Sequence, residues 1–213
     1  MKKEKKKSFS CFLDDCYRFE NPWEKCKRYV KNIKFAYQRI RYGYCDKDVW
    51  SIDWWFLNIM PNMLDDLRKS AHGYPVDLAE SCNNVQVLGM DEEQEEKAIA
   101  EWDSILSEIA FLFREANEET CLKKNPYKDD WHKAQQEFAK EYGERGEKLR
   151  TSEEIEKEKS RNLYTIHTAD ELPEYQGLNR LYTEAEREIE AYRNECKDKG
   201  IDLFKQWFWN LWD

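Results

Sequence analysis

Apolar residues that recur alternately three and four positions apart constrain the fold of this chain more than any other feature. This spacing places about one residue of each turn on the same face of an α-helix and is typical of a coiled-coil seam. Two stretches follow it: Trp23, Cys26, Val30, Ile33, Tyr37, Ile40 and Tyr44, and then Leu178, Tyr182, Ala185, Ile189, Tyr192 and Cys196. The pattern predicts two long helices whose seams suit packing on each other at a shallow angle.

The first of these helices has clear signals at both ends. Asn21 and Pro22 combine an N-cap with a first-turn proline. Gly43 is placed to end the helix in the left-handed conformation. The remaining faces are basic and carry Lys25, Lys27, Arg28, Lys31, Lys34, Arg39 and Arg41. The sequence therefore predicts a basic amphipathic helix between residues 22 and 42.

A second helix is expected from about residue 49 to 71. Asp46 and Asp48 are candidates to cap it, because a carboxylate accepts amide hydrogen bonds and lies favourably at the positive end of the helix dipole. Pro61 lies inside this helix and is expected to kink it, since proline has no amide hydrogen. Residues 76–90 are expected to form a loop with short extended pieces near its end.

The most regular apolar stripe predicts a third helix from about residue 91 to 116. It consists of Ile99, Trp102, Ile105, Leu106, Ile109, Leu112, Phe113 and Ala116. Residues 131–170 are highly charged with few apolar anchors, and they predict one or two partly exposed helices. Gly143 and Gly146 are expected to break this segment.

The late helix is expected from about residue 177 to 199, with Gly200 as its stop. The sequence IDLFKQWFWNLWD follows at 201–213 and, as a helix, places most of its aromatic residues on one side. A segment this apolar is not left in water. It either docks in the core of the same chain or contacts a second copy of the chain.

Composition supports a helical fold. Glycine and proline number only 7 and 5, charged residues make up 37%, and there are nine tryptophans. This mixture indicates helices with solvated outer faces around a real core. We therefore expect an all-α, compact bundle of five to seven helices with a tryptophan-rich core. The expected divisions are a basic tail (1–20), a first core part (21–118), a charged helical insertion (119–175) and a second core part (176–213) that packs on the first.

Charge is distributed unevenly along a chain whose net charge is −9. Residues 1–44 carry 13 Lys/Arg against 5 Asp/Glu, and the remainder carries 22 against 39. Two explanations are open. The basic segment packs on an acidic one or faces solvent, or else it binds an anionic ligand. The overall acidity argues against general nucleic-acid binding, which requires a basic surface.

The seven cysteines are scattered, and none forms a CxxC pair. Their spacings, even with His72 added, fit no common zinc site, so no metal or cofactor is predicted. The lysine-rich start is followed by no apolar run, and no stretch approaches the roughly 20 apolar residues of a membrane span. We expect a cytoplasmic protein with reduced thiols.

The candidate chemistry indicates binding rather than catalysis. The sequence contains no GxSxG, HExxH or phosphate-loop motif. Arginines and aromatic residues gather where the first two helices meet, and such residues bind phosphates and stack on bases. The candidate ligand-binding residues are Arg39, Arg41, Tyr42, Tyr44, Trp50 and Trp54. The alternative is structural: Tyr44 belongs to the seam, and Arg41 pairs with Asp46 or Asp48.

Several short blocks occur in a fixed order. They are GYCDKDVW at 43–50, HGYP at 72–75, Trp102 with Ile105 and Leu106, GIDLF at 200–204, and LWD at 211–213. Together they resemble a widespread family of small, uncharacterised proteins encoded by tailed phages and prophages. The resemblance covers about a third of the chain and leaves out residues 119–175 and the basic start. It implies a phage origin and an all-helical fold, and it supplies no catalytic residue.

The sequence thus predicts a non-catalytic phage accessory protein that acts against a host defence in the host cytoplasm. It would sequester a nucleotide immune signal in a basic, aromatic pocket, or bind a host defence protein through the acidic segment 131–170. The alternative is a nucleic-acid-associated factor of replication, packaging or virion assembly that uses the basic start. A homo-oligomer formed through the aromatic C-terminal helix is a further expectation.

Overall fold

The computed structural model describes residues 21–71, 73–76, 78, 92–161 and 164–212. This part of the chain contains helices and no strand, which confirms the all-α prediction. Its α-helices are α1 (Pro22–Tyr42), α2 (Asp46–Trp50), α3 (Ile52–Ser70), α4 (Glu92–Ala116), α5 (Lys128–Tyr142), α6 (Ser152–Arg161) and α7 (Pro173–Trp207). Short 3-10 helices occupy Glu147–Leu149, Ala169–Glu171 and Phe208–Asn210. The predicted basic tail at 1–20 and the predicted extended pieces at 85–88 lie outside the described residues.

The chain divides into two compact units, Met1–Ile59 and Met60–Asp213. In the first unit, α1 begins after Asn21, whose side chain accepts the amide of Glu24 at 2.9 Å. It ends at Gly43, which has a φ of 82°. Both ends agree with the prediction, because each depends on a local signal that needs no tertiary context.

The predicted second helix is interrupted near its start. Ser51 adopts φ −142° and ψ 76°, outside the helical region, so α2 ends before it and α3 begins after it. The prediction of one continuous helix from residue 49 to 71 is therefore wrong at this point. Pro61 lies inside α3 as expected, and it is fully buried.

The 35-residue helix α7 is the scaffold of the second unit and is about 50 Å long. Its C-terminal half packs on α4. The Trp102 and Trp207 rings meet edge to face with centroids 5.5 Å apart, and the Phe113 and Phe204 rings lie 5.8 Å apart. Residue numbers that rise along one helix fall along the other, so the two helices run antiparallel.

The N-terminal half of α7 packs on α5, also antiparallel. Trp131 stacks on Tyr182 with centroids 4.6 Å apart and planes 14° apart, while Phe138 meets Tyr175 edge to face at 6.3 Å. Phe138 is buried. The charged segment that was expected to be an insertion therefore includes a helix anchored on α7, and the break predicted at its glycines is present after Tyr142.

Gly200 does not stop the late helix, and that prediction is wrong. It lies inside α7, buried against α4, where a methyl group in place of its hydrogen would approach two ring carbons of Phe113 to 3.0 Å and the Cβ of Leu112 to 3.2 Å. The glycine lets the two backbones come close together. Since α7 continues past it, the apolar end of the chain is carried back along α4 as far as Trp207.

The predicted tryptophan-rich core holds only in part. Trp102 and Trp207 are buried against each other, so the C-terminal segment packs on its own chain as far as Trp207. Trp55 and Trp131 are half-buried, and the exposed tryptophans are Trp23, Trp50, Trp54, Trp209 and Trp212. The deepest side chains are instead aliphatic or phenyl groups such as Leu64, Leu106 and Phe113. Helical periodicity identified the apolar stripes, but several of the tryptophans in those stripes are exposed.

Two arginine pairs fasten the end of α3 to α4 in the second unit. Arg68 donates two hydrogen bonds to the carboxylate of Asp103, at 2.9 and 2.8 Å. One turn or more away, Arg114 binds Asp65, which follows the buried Leu64 in α3. The Asp103 hydrogen bonds raise the pKa of Arg68, and the Arg68 hydrogen bonds lower the pKa of Asp103. These helices are therefore held by charge as well as by apolar burial.

A histidine connects α6 to the segment before α7. The Nδ1 atom of His167 lies 2.7 Å from a carboxylate oxygen of Glu171, and its Nε2 atom lies 3.3 Å from an oxygen of Glu154. The His167 amide also donates to the Arg145 carbonyl at 3.1 Å. The hydrogen bond to Glu171, with that to Glu154, raises the pKa of His167. Both ring nitrogens therefore favour the protonated ring, which bridges two carboxylates.

Candidate functional site

The candidate residues lie around the turn that joins α1 to α2 in the first unit. Gly43 makes this turn, and its amide donates to the Arg39 carbonyl at 2.9 Å. The Cys45 amide donates to the carboxylate of Asp48 at 2.8 Å, and the Asp48 amide donates back to the Cys45 carbonyl at 2.9 Å. This reciprocal pair starts α2. The prediction that Asp48 caps the second helix is therefore confirmed, with Cys45 at the N-cap position.

Arg39 is part of the framework of this turn. Its Nε and Nη2 atoms donate to the two oxygens of Asp48, at 3.0 and 2.6 Å. The Asp48 side chain is only 4% exposed. Burial alone would raise the pKa of Asp48, but the hydrogen bonds from Arg39 and from the Cys45 amide outweigh burial and lower it. Arg39 thus neutralises a buried carboxylate, which is the structural role that had been assigned to Arg41.

Asp46 fastens the start of α2 to α1. Its carboxylate accepts from Lys34 and from the Gln38 side-chain amide, each at 2.9 Å, and its own amide donates to the Gln38 side-chain oxygen at 3.1 Å. The hydrogen bond from Lys34 is the main cause that lowers the pKa of Asp46. Both members of this ion pair are well exposed, so it orients the turn more than it stabilises it.

The six candidate ligand-binding residues thus divide into two groups. Arg39 is hydrogen-bonded to both carboxylate oxygens of Asp48. The guanidinium of Arg41 lies 5.8 Å from the centroid of the Tyr42 ring, so these two neighbours are together at the surface. The remaining aromatic candidates are all exposed: Tyr44, Trp50 and Trp54. Trp50 is the most accessible of them, at 90%. The side chains are therefore available to a large partner rather than arranged to enclose a small ligand.

The apolar seam of α1 lies on an exposed face of the helix. No residue of α1 is buried, and Ile33 and Ile40 are 61% and 86% exposed. A different stripe of the same helix is half-buried: Arg28, Asn32, Phe35, Gln38 and Arg39. This mainly polar stripe faces α2, because its residues Gln38 and Arg39 donate hydrogen bonds to Asp46 and Asp48.

Cations border the outward face of α1. Lys27 lies with its ammonium 5.6 Å from the Trp23 ring, and the Arg28 guanidinium lies at the same distance from the Tyr29 ring. Such contacts place charge over the aromatic faces while leaving both accessible. The helix contains seven Lys/Arg residues and one acidic residue. Its surface therefore combines exposed aliphatic, aromatic and cationic side chains on one element.

A buried carboxylate in the second unit escaped the sequence analysis. Glu115 is 2% exposed, and it accepts from the Leu122 amide at 3.1 Å and from the Tyr192 hydroxyl at 2.9 Å. The Cys121 thiol lies 3.8 Å from the same carboxylate. Nearby, Asn125 donates to the Tyr182 carbonyl and to Glu186. These bonds hold the connection between α4 and α5 against the middle of α7.

This buried centre shifts the pKa values of its neighbours. Hydrogen bonds with Cys196 and with Glu115 raise the pKa of Tyr192, and burial raises the pKa of the Cys121 thiol. Both groups therefore stay protonated and act as donors around Glu115. The buried Glu115 carboxylate thus has its hydrogen-bond partners, which indicates a structural role for this cluster. A glutamate inside the apolar run AFLFREA was the signal in the sequence that marked it.

No protein family, no curated protein and no solved structure matches this chain. Among the described residues, no three His, Cys, Asp or Glu side chains gather in a way that would hold a metal ion. None of the described helices combines the length and apolar character needed to cross a bilayer.

Proposed function

We propose that this chain is a non-catalytic phage accessory protein that acts in phage–host conflict by binding a host defence protein through the surface of α1. The phage origin rests on the resemblance of the ordered sequence blocks to the tailed-phage family. The mode of action rests on one observation: α1 exposes an apolar seam beside a row of cations. Exposed apolar patches of this kind mark interaction surfaces.

A protein partner fits this surface better than a nucleotide does. Small ligands are bound in concave sites that bury most of their surface. Here Arg39 is held by Asp48, while Arg41 and the aromatic candidates beside it are exposed. Tryptophan, tyrosine and arginine are also the residues that contribute most at protein interfaces. The nucleotide-sequestering version of the prediction therefore has weaker support than binding of a macromolecule.

Plating of phage on hosts with defined defence systems tests this function. The wild-type chain is expressed in strains that each carry one defence system, and the efficiency of plating is compared with that of an empty vector. We expect rescue on at least one strain, and loss of that rescue with Ile33→Glu/Ile40→Glu. These positions are exposed, so the change should leave the fold intact. No rescue on any strain would contradict the counter-defence proposal.

The matched control is Leu122→Glu, which also places a carboxylate at an exposed aliphatic position but lies outside α1. It should plate like the wild type. If the control and the α1 variant lose rescue equally, α1 is not the contact surface. The acidic segment 131–170 would then be the next surface to alter.

The alternative function, a nucleic-acid-associated replication, packaging or assembly factor, has one observation in its favour. The cations of α1 outnumber its acids by seven to one. Binding through phosphates would weaken steeply as salt rises, because counterions are released. Titration of a DNA duplex at increasing salt distinguishes the two functions. A strong affinity that falls steeply with salt and survives Ile33→Glu/Ile40→Glu would support the alternative.

A further inference from the structure

We infer that the seam of α1 binds an acidic amphipathic helix of the protein partner. This inference rests on the proposed function, since it takes α1 as the contact surface and names the chemistry of what covers it.

The exposed apolar residues of α1 occupy the two inner positions of a heptad repeat. Trp23, Val30 and Tyr37 take the first of these positions, and Ile33 and Ile40 take the second, with Cys26 in the remaining turn. The helix has 21 residues, which is three complete heptads. A seam of this kind accepts a second helix by inserting its side chains into the spaces between those of the partner.

The residues that border one side of this seam are all cations. They are Lys27, Lys34 and Arg41, one in each heptad. Lys34 already binds Asp46 at the surface, and both side chains of that pair are 61% exposed. The other border holds Tyr29 and Ala36, which carry no charge. Charges at these border positions determine which partner a helix accepts.

This border disfavours a second copy of α1. In an antiparallel pair, the cationic border of one helix meets the cationic border of the other, so like charges repel. In a parallel pair, the cations face Tyr29 and Ala36 and gain no ion pair. A partner helix with glutamate or aspartate beside its own apolar seam converts every one of these contacts into an attraction.

A nucleic acid would contact the cations of α1 but would leave the apolar seam uncovered. Phosphates bind Lys and Arg, and bases stack on aromatic rings, but neither covers the branched aliphatic side chains of Val30, Ile33 and Ile40. These side chains lie in the same face as the aromatic ones and are 61–86% exposed. A helix that is apolar along one face and acidic beside it satisfies both parts of the surface.

The test uses the full-length chain and two synthetic helical peptides of three heptads. Both peptides have leucine at the inner heptad positions, and one has glutamate at the border positions where the other has lysine. Binding is measured by fluorescence anisotropy at physiological salt. We expect the glutamate peptide to bind about tenfold more tightly, because the contacts with Lys27 and Arg41 change from repulsion to attraction, while Lys34 already pairs with Asp46. Ile33→Glu/Ile40→Glu should abolish this binding, and Leu122→Glu should preserve it.

Three results would overturn the inference. The first is equal affinity for the two peptides, or binding that the α1 variant retains. The second is a dimer of the free chain, measured by sedimentation, that the α1 variant dissociates, since the seam would then be covered by another copy. The third is failure of the glutamate peptide to bind at all. If phage rescue still depends on Ile33 and Ile40 in that case, the proposed function stands and only the acidic-helix inference fails.

Discussion

Replacement of Gly200 by alanine tests the close approach of α7 to α4. The added methyl carbon would lie 3.0 Å from two ring carbons of Phe113 and 3.2 Å from the Cβ of Leu112. Carbon atoms pack best at about 3.5–4.0 Å, and an overpacked core methyl costs about 1–3 kcal/mol. Alanine in a helix interior recovers about 1 kcal/mol relative to glycine. The Leu112 Cβ is fixed to its backbone, so we expect Gly200→Ala to lower the free energy of unfolding by about 1 kcal/mol.

The matched control for this change is Gly177→Ala in the same helix. An added methyl group there has no atom within 4 Å, so only the gain in helix propensity applies, roughly 0.4–1 kcal/mol. The stabilities of the two variants should shift in opposite directions from that of the wild type and differ from each other by about 1.4–2 kcal/mol. Urea unfolding followed by circular dichroism measures both. If Gly200→Ala is as stabilising as Gly177→Ala, α7 does not pack closely on Phe113 and the antiparallel pairing with α4 is refuted.

Three further changes test the framework. Arg39→Ala leaves the buried Asp48 carboxylate without its bidentate partner and should destabilise the first unit by about 2 kcal/mol in chemical denaturation. The control Arg41→Ala should change the stability of that unit by less than about 0.5 kcal/mol. Equal losses of stability would show that Arg39 has no structural role. Tyr192→Phe removes a hydrogen bond to Glu115 and should lower the free energy of unfolding of the second unit by about 2 kcal/mol. An unchanged urea midpoint would show that the hydrogen bonds around Glu115 do not stabilise the fold. The pKa of His167 is raised above 6.5 in the folded state, so its stabilising contribution is complete below about pH 6.5 and is lost as pH rises through the folded pKa. His167→Asn should therefore weaken the dependence of the urea midpoint on pH. If the urea midpoint of the variant depends on pH as strongly as that of the wild type, His167 is not the cause.

Local signals in the sequence predicted the helices well where they were unambiguous. Gly43 ends α1 because glycine adopts the left-handed conformation of a helix C-cap without a Cβ clash, and most of the α4 stripe from Trp102 to Ala116 is buried because it is apolar over many turns. Gly200 carried an ambiguous signal, since a glycine serves equally as a helix stop and as a place where two backbones approach. Only the neighbouring Phe113, far away in sequence, decides between these roles. The break at Ser51 had no glycine or proline to mark it.

The site was harder to predict than the fold. The periodicity of α1 identified an apolar seam but not what covers it, and the polar bonds from Arg39 to Asp48 turned another stripe of the helix inward. An arginine does pair with an aspartate at this turn, as in the structural alternative, but the arginine is Arg39 and not Arg41. Glu115 was missed because the chain has 44 acidic residues, and the apolar stripe around this one was assigned to the core without considering the glutamate inside it.

The accessibility of Cys26 shows directly whether the seam of α1 is exposed in the free protein, because this thiol lies in that seam. Cys26 is exposed in the structure, while Cys45, at the turn after the same helix, is 1% exposed. Alkylation of the native full-length chain, resolved by mass spectrometry and normalised to the rate in urea, compares the two sites. An outward seam predicts that Cys26 reacts at close to its unfolded rate while Cys45 is strongly protected. Protection of Cys26 equal to that of Cys45 would show that the seam is already covered within the free protein, so α1 could not be the contact surface for a partner.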